Sequence, residues 1–219
     1  MNSDRRVVIT GIGVVTPLGN DLETFWSNLK NGVSGIRRIQ TFDTSAYDCQ
    51  IAGEVRDFDP KPFFKNPKDV RRTDRFTQLA MAAAKMSIKD SGLDLERINR
   101  DRFGTMIASG IGGLRTLEDQ HNILMSKGPS RVSAFTIPML ISNMASGIVS
   151  MEFGLRGPNM CIVTACATSN NSIGESWRII KFGDADIFLA GGSEASIVSI
   201  GLAGFSAMKA LSRRNNEPE

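Results

Sequence analysis

Apolar and polar positions along the chain follow two rhythms, one of strands and one of helices. Arg5–Thr10 (RRVVIT) is a short β-branched run broken at Gly11-Ile12-Gly13, which predicts a buried strand. Leu22, Phe25, Trp26 and Leu29 then fall at helical spacing, with Asn20 as N-cap, Glu23 as its capping-box partner and Gly32 as the stop. Residues 33–72 show no regular period. Thr73 predicts the cap of a helix whose apolar face is Phe76, Leu79, Ala80, Ala83 and Ala84 and whose end is Gly92. Phe103–Ser109 reads as a strand ahead of Gly110-Ile111-Gly112-Gly113, followed by a helix from Leu114 to Met125 and a loop at Gly128-Pro129. Further on, a helix is expected over Pro138–Phe153, a short strand over Met160–Val163, a helix over Ala167–Phe182 and a strand over Asp186–Ala190. Strands alternating with helices predict an α/β fold with a mainly parallel, buried sheet. The closing LSRRNNEPE is polar and predicts no terminal element.

Composition narrows the classes. With 219 residues, 41% hydrophobic and 22% charged, the chain is an ordinary globular one rather than a disordered one. Its 21 glycines predict many tight turns or close backbone approaches. A net charge of +3 argues against a dedicated nucleic-acid binder. No apolar run approaches the roughly 18 residues of a membrane span, and the N-terminus enters the first strand-like run without a signal peptide. The odd count of 3 Cys is unlike a disulfide framework, so a reducing, cytoplasmic setting is expected.

The strongest chemical signal is Thr164-Ala165-Cys166-Ala167-Thr168-Ser169, between an apolar run and a helix. A Cys there has unpaired backbone N–H groups around it and the positive end of the helix dipole beneath it, and both favour thiolate. The arrangement parallels the nucleophile elbow of hydrolases, with Cys in place of Ser; a small Cys that merely packs is the alternative. Cys161 reads as structural and Cys49 carries no signal. His121, the only histidine, sits in the polar stretch Glu118–Asn122 and reads as a surface side chain. Gly11-Ile12-Gly13 lacks the third glycine of a dinucleotide loop, position 16 being Thr, so a tight turn explains it better. Nothing supports a metal site. Lys65, Lys68, Arg71, Arg72 and Arg75 form the densest basic cluster, beside Phe63 and Phe64; it is either a solvated face or a dock for an acidic partner. Ile111 and Phe205 are bulky apolar residues flanked by small ones and read as loop residues facing a pocket or the core.

Taken together, RRVVITGIGVVTPLGN, FDTSAY (42–47), SGIGGL (109–114), GLRGP (154–158), TACATS (164–169), GDADIFLAGGSE (183–194) and GFSAMKALSRRN (204–215) resemble the β-ketoacyl-[acyl-carrier-protein] synthases, most closely the elongating type II condensing enzymes of bacteria and plastids. The resemblance implies a thiolase-like fold of α-β-α-β-α layers, built from two similar halves and working as a homodimer. It implies that Cys166 takes an acyl group from acyl carrier protein, and that decarboxylating malonyl-carrier protein then extends it to a 3-oxoacyl chain. Ile111 and Phe205 would line the acyl channel, the basic cluster would meet the carrier protein, and no cofactor is needed. The setting would be cytoplasm, or plastid stroma in a plant. Family members are about twice this long, and their second half supplies two catalytic histidines, a lysine and a Phe of the oxyanion hole. His121 matches neither histidine. Residues 1–219 therefore read as one N-terminal β-ketoacyl synthase domain that would not condense alone. Two other readings remain: a non-catalytic, chain-length-determining partner of the same fold, which typically lacks the nucleophile, and a Cys hydrolase or thiolase-type acyltransferase.

Overall fold

The structure, a computed structural model, describes residues 5–218. Met1–Asp4, read as leading straight into a strand, and Glu219, last of the polar tail, lie outside the described residues. In chain order the elements are α1 (Leu22–Lys30), β1 (Arg37–Arg38), β2 (Ile51–Ala52), α2 (Arg75–Ser91), β3 (Phe103–Ala108), α3 (Leu114–Lys127), α4 (Thr136–Leu140), α5 (Met144–Phe153), α6 (Thr168–Phe182), β4 (Ile187–Gly192) and α7 (Ser199–Ala207). They belong to two compact units, one within Met1–Gly13 and Pro60–Ala195, the other within Val14–Asp59 and Ser196–Glu219.

The larger unit is built on β3 and β4, which pair in parallel from Phe103↔Ile187 to Ala108↔Gly192. Every residue of β3 is buried, as its unbroken apolar run predicts for a strand covered on both faces. Phe76, Met81, Phe103, Ala145, Val149 and Leu189 form the core between the helices and this sheet. Gly92, Gly154 and Gly183 end α2, α5 and α6 in the left-handed conformation, at φ 65°, 66° and 90°, each stop being the one expected from sequence.

Other expectations are corrected. Among the described residues no strand forms over Arg5–Thr10; Val8 and Ile9 are 62% and 80% exposed. A β-branched run favours an extended backbone, but a strand also needs a neighbouring strand for its N–H and C=O groups, and here the Arg5 carbonyl accepts from Lys181 Nζ at 2.8 Å instead. The glycines that follow it lie on α2, where a Cβ on Gly11 or Gly13 would stand 2.2 Å from the Ser87 carbonyl or 1.9 Å from that of Ala83. That close approach, not a tight turn, explains the two glycines. Met160–Val163 is not a strand either: the segment before it meets β3 through Gly157 N, which donates to Phe103 O at 3.1 Å, and through Thr105, which donates to Pro158 O at 2.9 Å and accepts from Met160 N at 3.2 Å. The expected helix over Pro138–Phe153 is divided into α4 and α5, because the Leu140 carbonyl accepts from Gly113 N at 2.9 Å instead of continuing the helix.

The caps are displaced by one residue. Asp74, not Thr73, caps α2; Thr73 donates its hydroxyl to Val70 O at 2.9 Å. In the smaller unit Asp21, not Asn20, caps α1 by accepting from Thr24 N at 2.8 Å, while Asn20 donates to Arg56 O at 3.1 Å. Residues 33–72 are not wholly irregular: β1 and β2 form a short antiparallel pair, and 3₁₀ turns span Lys61–Phe63 and Pro67–Arg72. Ile39, Cys49, Ile51 and Leu202 make the small unit's core. Phe205 lies in α7, not in a loop. Burial of Gly201 and Leu202 on that helix outweighs the low helix propensity of its glycines.

Candidate active site

Cys166 sits in the 3₁₀ turn Ala165–Ala167, directly before α6, and its thiol is exposed. Ala165 ahead of it has φ 51°, a conformation that costs an L-residue with a Cβ about 1–2 kcal/mol. The turn is pinned from both sides. Thr164 donates its N–H to Thr168 Oγ1 at 2.9 Å, its Oγ1 accepts from Asn171 Nδ2 at 2.6 Å, and its carbonyl accepts from Ala167 N at 3.1 Å. Behind it, the first turn of α6 rests on the end of β4, where a Cβ on Gly192 would stand 2.9 Å from Ser169 Cβ. The thiol is thus held at the carboxyl end of a parallel sheet, where open α/β folds place their ligands. No side chain caps α6, so its first-turn N–H groups are left without a side-chain acceptor. The turn thus presents an exposed thiol at the start of a helix. Among the described residues no cluster of three or more His, Cys, Asp or Glu is placed to hold a metal ion.

The glycine-rich turn after β3 abuts this elbow: a Cβ on Gly110 would lie 3.5 Å from Ala165 O. Ile111, in that turn, is 41% exposed. Phe205 is 37% exposed and belongs to the smaller unit. His121 is exposed in the middle of α3. Cys49 is buried and Cys161 half-buried.

The basic residues differ in their surroundings. Lys68 and Arg71 are exposed. Arg72 stacks on Phe135, its guanidinium 4.9 Å from the ring centre, and lies 3.7 Å from Asp69. Lys65 is tied to Glu152 through its backbone N–H at 2.9 Å and through its ammonium, which donates to the Glu152 carbonyl. Arg75 is half-buried at the start of α2, and burial, then the charge of Arg115, lowers its pKa. Phe64 belongs to the core and Phe63 packs against it, so neither offers an aromatic docking face.

Sequence reasoning missed Glu194, whose carboxylate accepts from Ser109 Oγ at 3.0 Å, Gly110 N at 2.8 Å and Ile111 N at 3.1 Å. Its only sequence signal is its place just after the glycines that end β4.

Known proteins agree with this architecture. The family model described as β-ketoacyl synthase, N-terminal domain, matches residues 4–219. The 3-oxoacyl-[acyl-carrier-protein] synthase 2 of Staphylococcus aureus is 49% identical over 216 residues, covering 99% of this chain and 52% of that protein. Its namesake from Synechocystis is 46% identical over 214 residues, 98% of this chain and 51% of that one. A crystal structure of a β-ketoacyl synthase from Burkholderia phymatum has a TM-score of 0.86 at 27% identity, over 97% of this chain and 52% of its own. The chain spans about half the length of the relatives it matches. With the family model covering nearly all of it and solved ketosynthases sharing its fold, the chain belongs to the β-ketoacyl synthase family, as the N-terminal half of the thiolase-like unit.

Proposed function

We propose that residues 1–219 are the N-terminal domain of a condensing enzyme of fatty acid synthesis, in which Cys166 is the acyl acceptor. The observation that carries this reading is the exposed thiol on a strained, doubly pinned elbow at the sheet's carboxyl end. The Cys166 thiolate attacks the thioester carbonyl of an acyl-carrier protein. The tetrahedral oxyanion takes a hydrogen bond from the Cys166 N–H, and one donor of this kind is worth about 2.7–4 kcal/mol. Collapse expels the carrier thiolate and leaves the acyl group on Cys166. Malonyl-carrier protein then loses CO2, its carbanion attacks the new thioester, and Cys166 leaves as thiolate, giving 3-oxoacyl-carrier protein. The residues that assist decarboxylation would come from the half of the relatives that this chain does not span.

The name shared by the relatives from S. aureus and Synechocystis supports acyl carrier protein as partner. Lys68 and Arg71, exposed on the Pro67–Arg72 turn, are the residues best placed to draw in an acidic carrier, and Ile111 and Phe205 are assigned to the acyl channel. Homodimer formation in the cytoplasm fits the exposed apolar pair Ile173 and Trp177 on one face of α6. The retained thiol separates this reading from a non-catalytic chain-length partner.

The test is acylation itself. Incubated with acyl-carrier protein, the full-length protein gains one acyl group, and peptide mass mapping places it on Cys166; Cys166→Ala gains none. Acyl transfer to Cys49 or Cys161, or equal labelling of all three by iodoacetamide, refutes the assignment.

A further inference from the structure

The turn after β3 contains three glycines in four residues and has little side-chain packing to hold it. What holds it is a carboxylate from elsewhere in the chain. Gly110 and Ile111 aim consecutive N–H groups at one atom, Glu194 Oε2, at 2.8 and 3.1 Å. The other oxygen, Oε1, accepts from Ser109 Oγ at 3.0 Å, and that hydroxyl in turn accepts from Gly112 N at 2.9 Å. Every N–H from 110 to 112 therefore ends on Glu194 or on the buried hydroxyl that Glu194 orients. Successive amides converging on an anion make a nest, and here the protein supplies its own anion. The carboxylate lies close against the turn: a Cβ on Gly110 would lie 2.9 Å from Glu194 Oε2. On its far side the same turn meets α4, through Gly113 N and Leu140 O at 2.9 Å. Gly110 also faces the elbow, since a Cβ there would lie 3.5 Å from the Ala165 carbonyl oxygen. The clamp thus acts on the turn that carries Ile111 and whose Gly110 faces the elbow.

We infer that Glu194 is a positioning residue that fixes the Ile111 turn against the Cys166 elbow and so sets how sharply acyl chains are discriminated by length. The inference rests on the reading of Cys166 as the acyl acceptor and of Ile111 as part of the channel. Glu194 touches no reacting atom. Without it, the amides of 110–112 turn to solvent and Ile111 is no longer held in one place.

The test uses the full-length protein with Glu194→Ala and Glu194→Gln. A glutamine carbonyl still accepts from both N–H groups and its amide donates to Ser109 Oγ, so it restores the clamp without charge. Hydrogen exchange over a peptide containing residues 109–113 should accelerate about tenfold or more in Glu194→Ala, as for a locally opened segment, and stay near wild type in Glu194→Gln. In parallel, kcat/KM for Cys166 acylation is measured with short to long acyl-carrier substrates. Glu194→Ala should flatten the dependence on length, Glu194→Gln should keep it, and iodoacetamide labelling of Cys166 should be unchanged in both. Unaltered exchange in Glu194→Ala overturns the clamp. Faster exchange with an unaltered length profile overturns its role in selection, while thioester formation on Cys166 still upholds the proposed function. If wild type forms no thioester on Cys166, the functional reading falls and takes the selection role with it, whereas the exchange result still reports on the clamp. Glu194→Gln covers the case in which the alanine variant fails to fold.

Discussion

Replacing Ala165 by glycine tests whether backbone strain is stored beside the nucleophile. Ala165 is exposed and has φ 51°, so removing its Cβ takes away almost no packing. The exchange relieves about 1–2 kcal/mol of left-handed strain and costs about 0.4–1 kcal/mol because glycine has more freedom in the unfolded chain. The balance runs from about zero to 1.6 kcal/mol in favour of the variant. At about 2–4 °C per kcal/mol for a chain of this size, Tm should hold or rise by up to about 6 °C. The same exchange at Ala83, inside α2, has the opposite sign and costs about 1 kcal/mol. Acyl transfer to Cys166 should nonetheless slow in Ala165→Gly, because the elbow loses the restriction that aims the sulfur. Thermal unfolding followed by circular dichroism, with single-turnover acylation on the same preparations, reads both effects. A fall in Tm of more than about 3 °C for Ala165→Gly would show that the residue bears no strain and that the elbow is simply a turn that suits alanine.

Three further outcomes follow from other parts of the chain. Asp74 is buried and accepts from Phe76 N at 3.3 Å, Thr116 N at 3.0 Å and Thr116 Oγ1 at 2.6 Å; Asp74→Ala strands these donors and should cost about 3 kcal/mol, read as a fall of roughly 6–12 °C in Tm, and a fall under 2 °C would contradict this. Burial opposes ionisation of Glu54, but hydrogen bonds from Arg56, Thr41 and the Gln40 backbone outweigh it and hold its pKa below the ordinary 4.5. A depressed carboxylate stabilises the fold above its unfolded pKa and loses that contribution as pH falls through the folded value, so the gap in urea midpoint between wild type and Glu54→Gln should be full near neutral pH and close in acid; a gap independent of pH contradicts it. Changing Lys68 and Arg71 together to Glu should raise KM for carrier-bound substrates at low salt and leave Cys166 alkylation untouched; an unchanged KM makes that turn a plain solvated surface.

Helix stops were legible in the sequence because glycine at a left-handed C-terminus is a local requirement, met at Gly92, Gly154 and Gly183. The starts of α1 and α2 were legible only to within a residue. Asn20-Asp21 and Thr73-Asp74 each offer two capping side chains in succession, and the choice depends on which oxygen reaches an N–H in three dimensions. Arg5–Thr10 was misread because apolar pattern reports a preference for extended backbone but says nothing about whether a neighbouring strand is there. The helix break after Leu140 depends on a hydrogen bond to Gly113, which no window around Pro138 contains.

The same distinction divides the site. The elbow could be read directly because its parts are contiguous: Thr164 is braced by Thr168 and Asn171, four and seven residues away. The clamp on Ile111 could not, since Glu194 lies 83 residues from the amide it holds. A glycine-rich turn looks alike in sequence whether it is free or tethered, and here only the position of one carboxylate at the end of β4 distinguishes the two. The elbow around Cys166 is therefore written into a few consecutive residues. The shape of its surroundings depends on hydrogen bonds between segments far apart in sequence, and substitutions at Glu194 should alter selectivity without touching the TACATS segment at all.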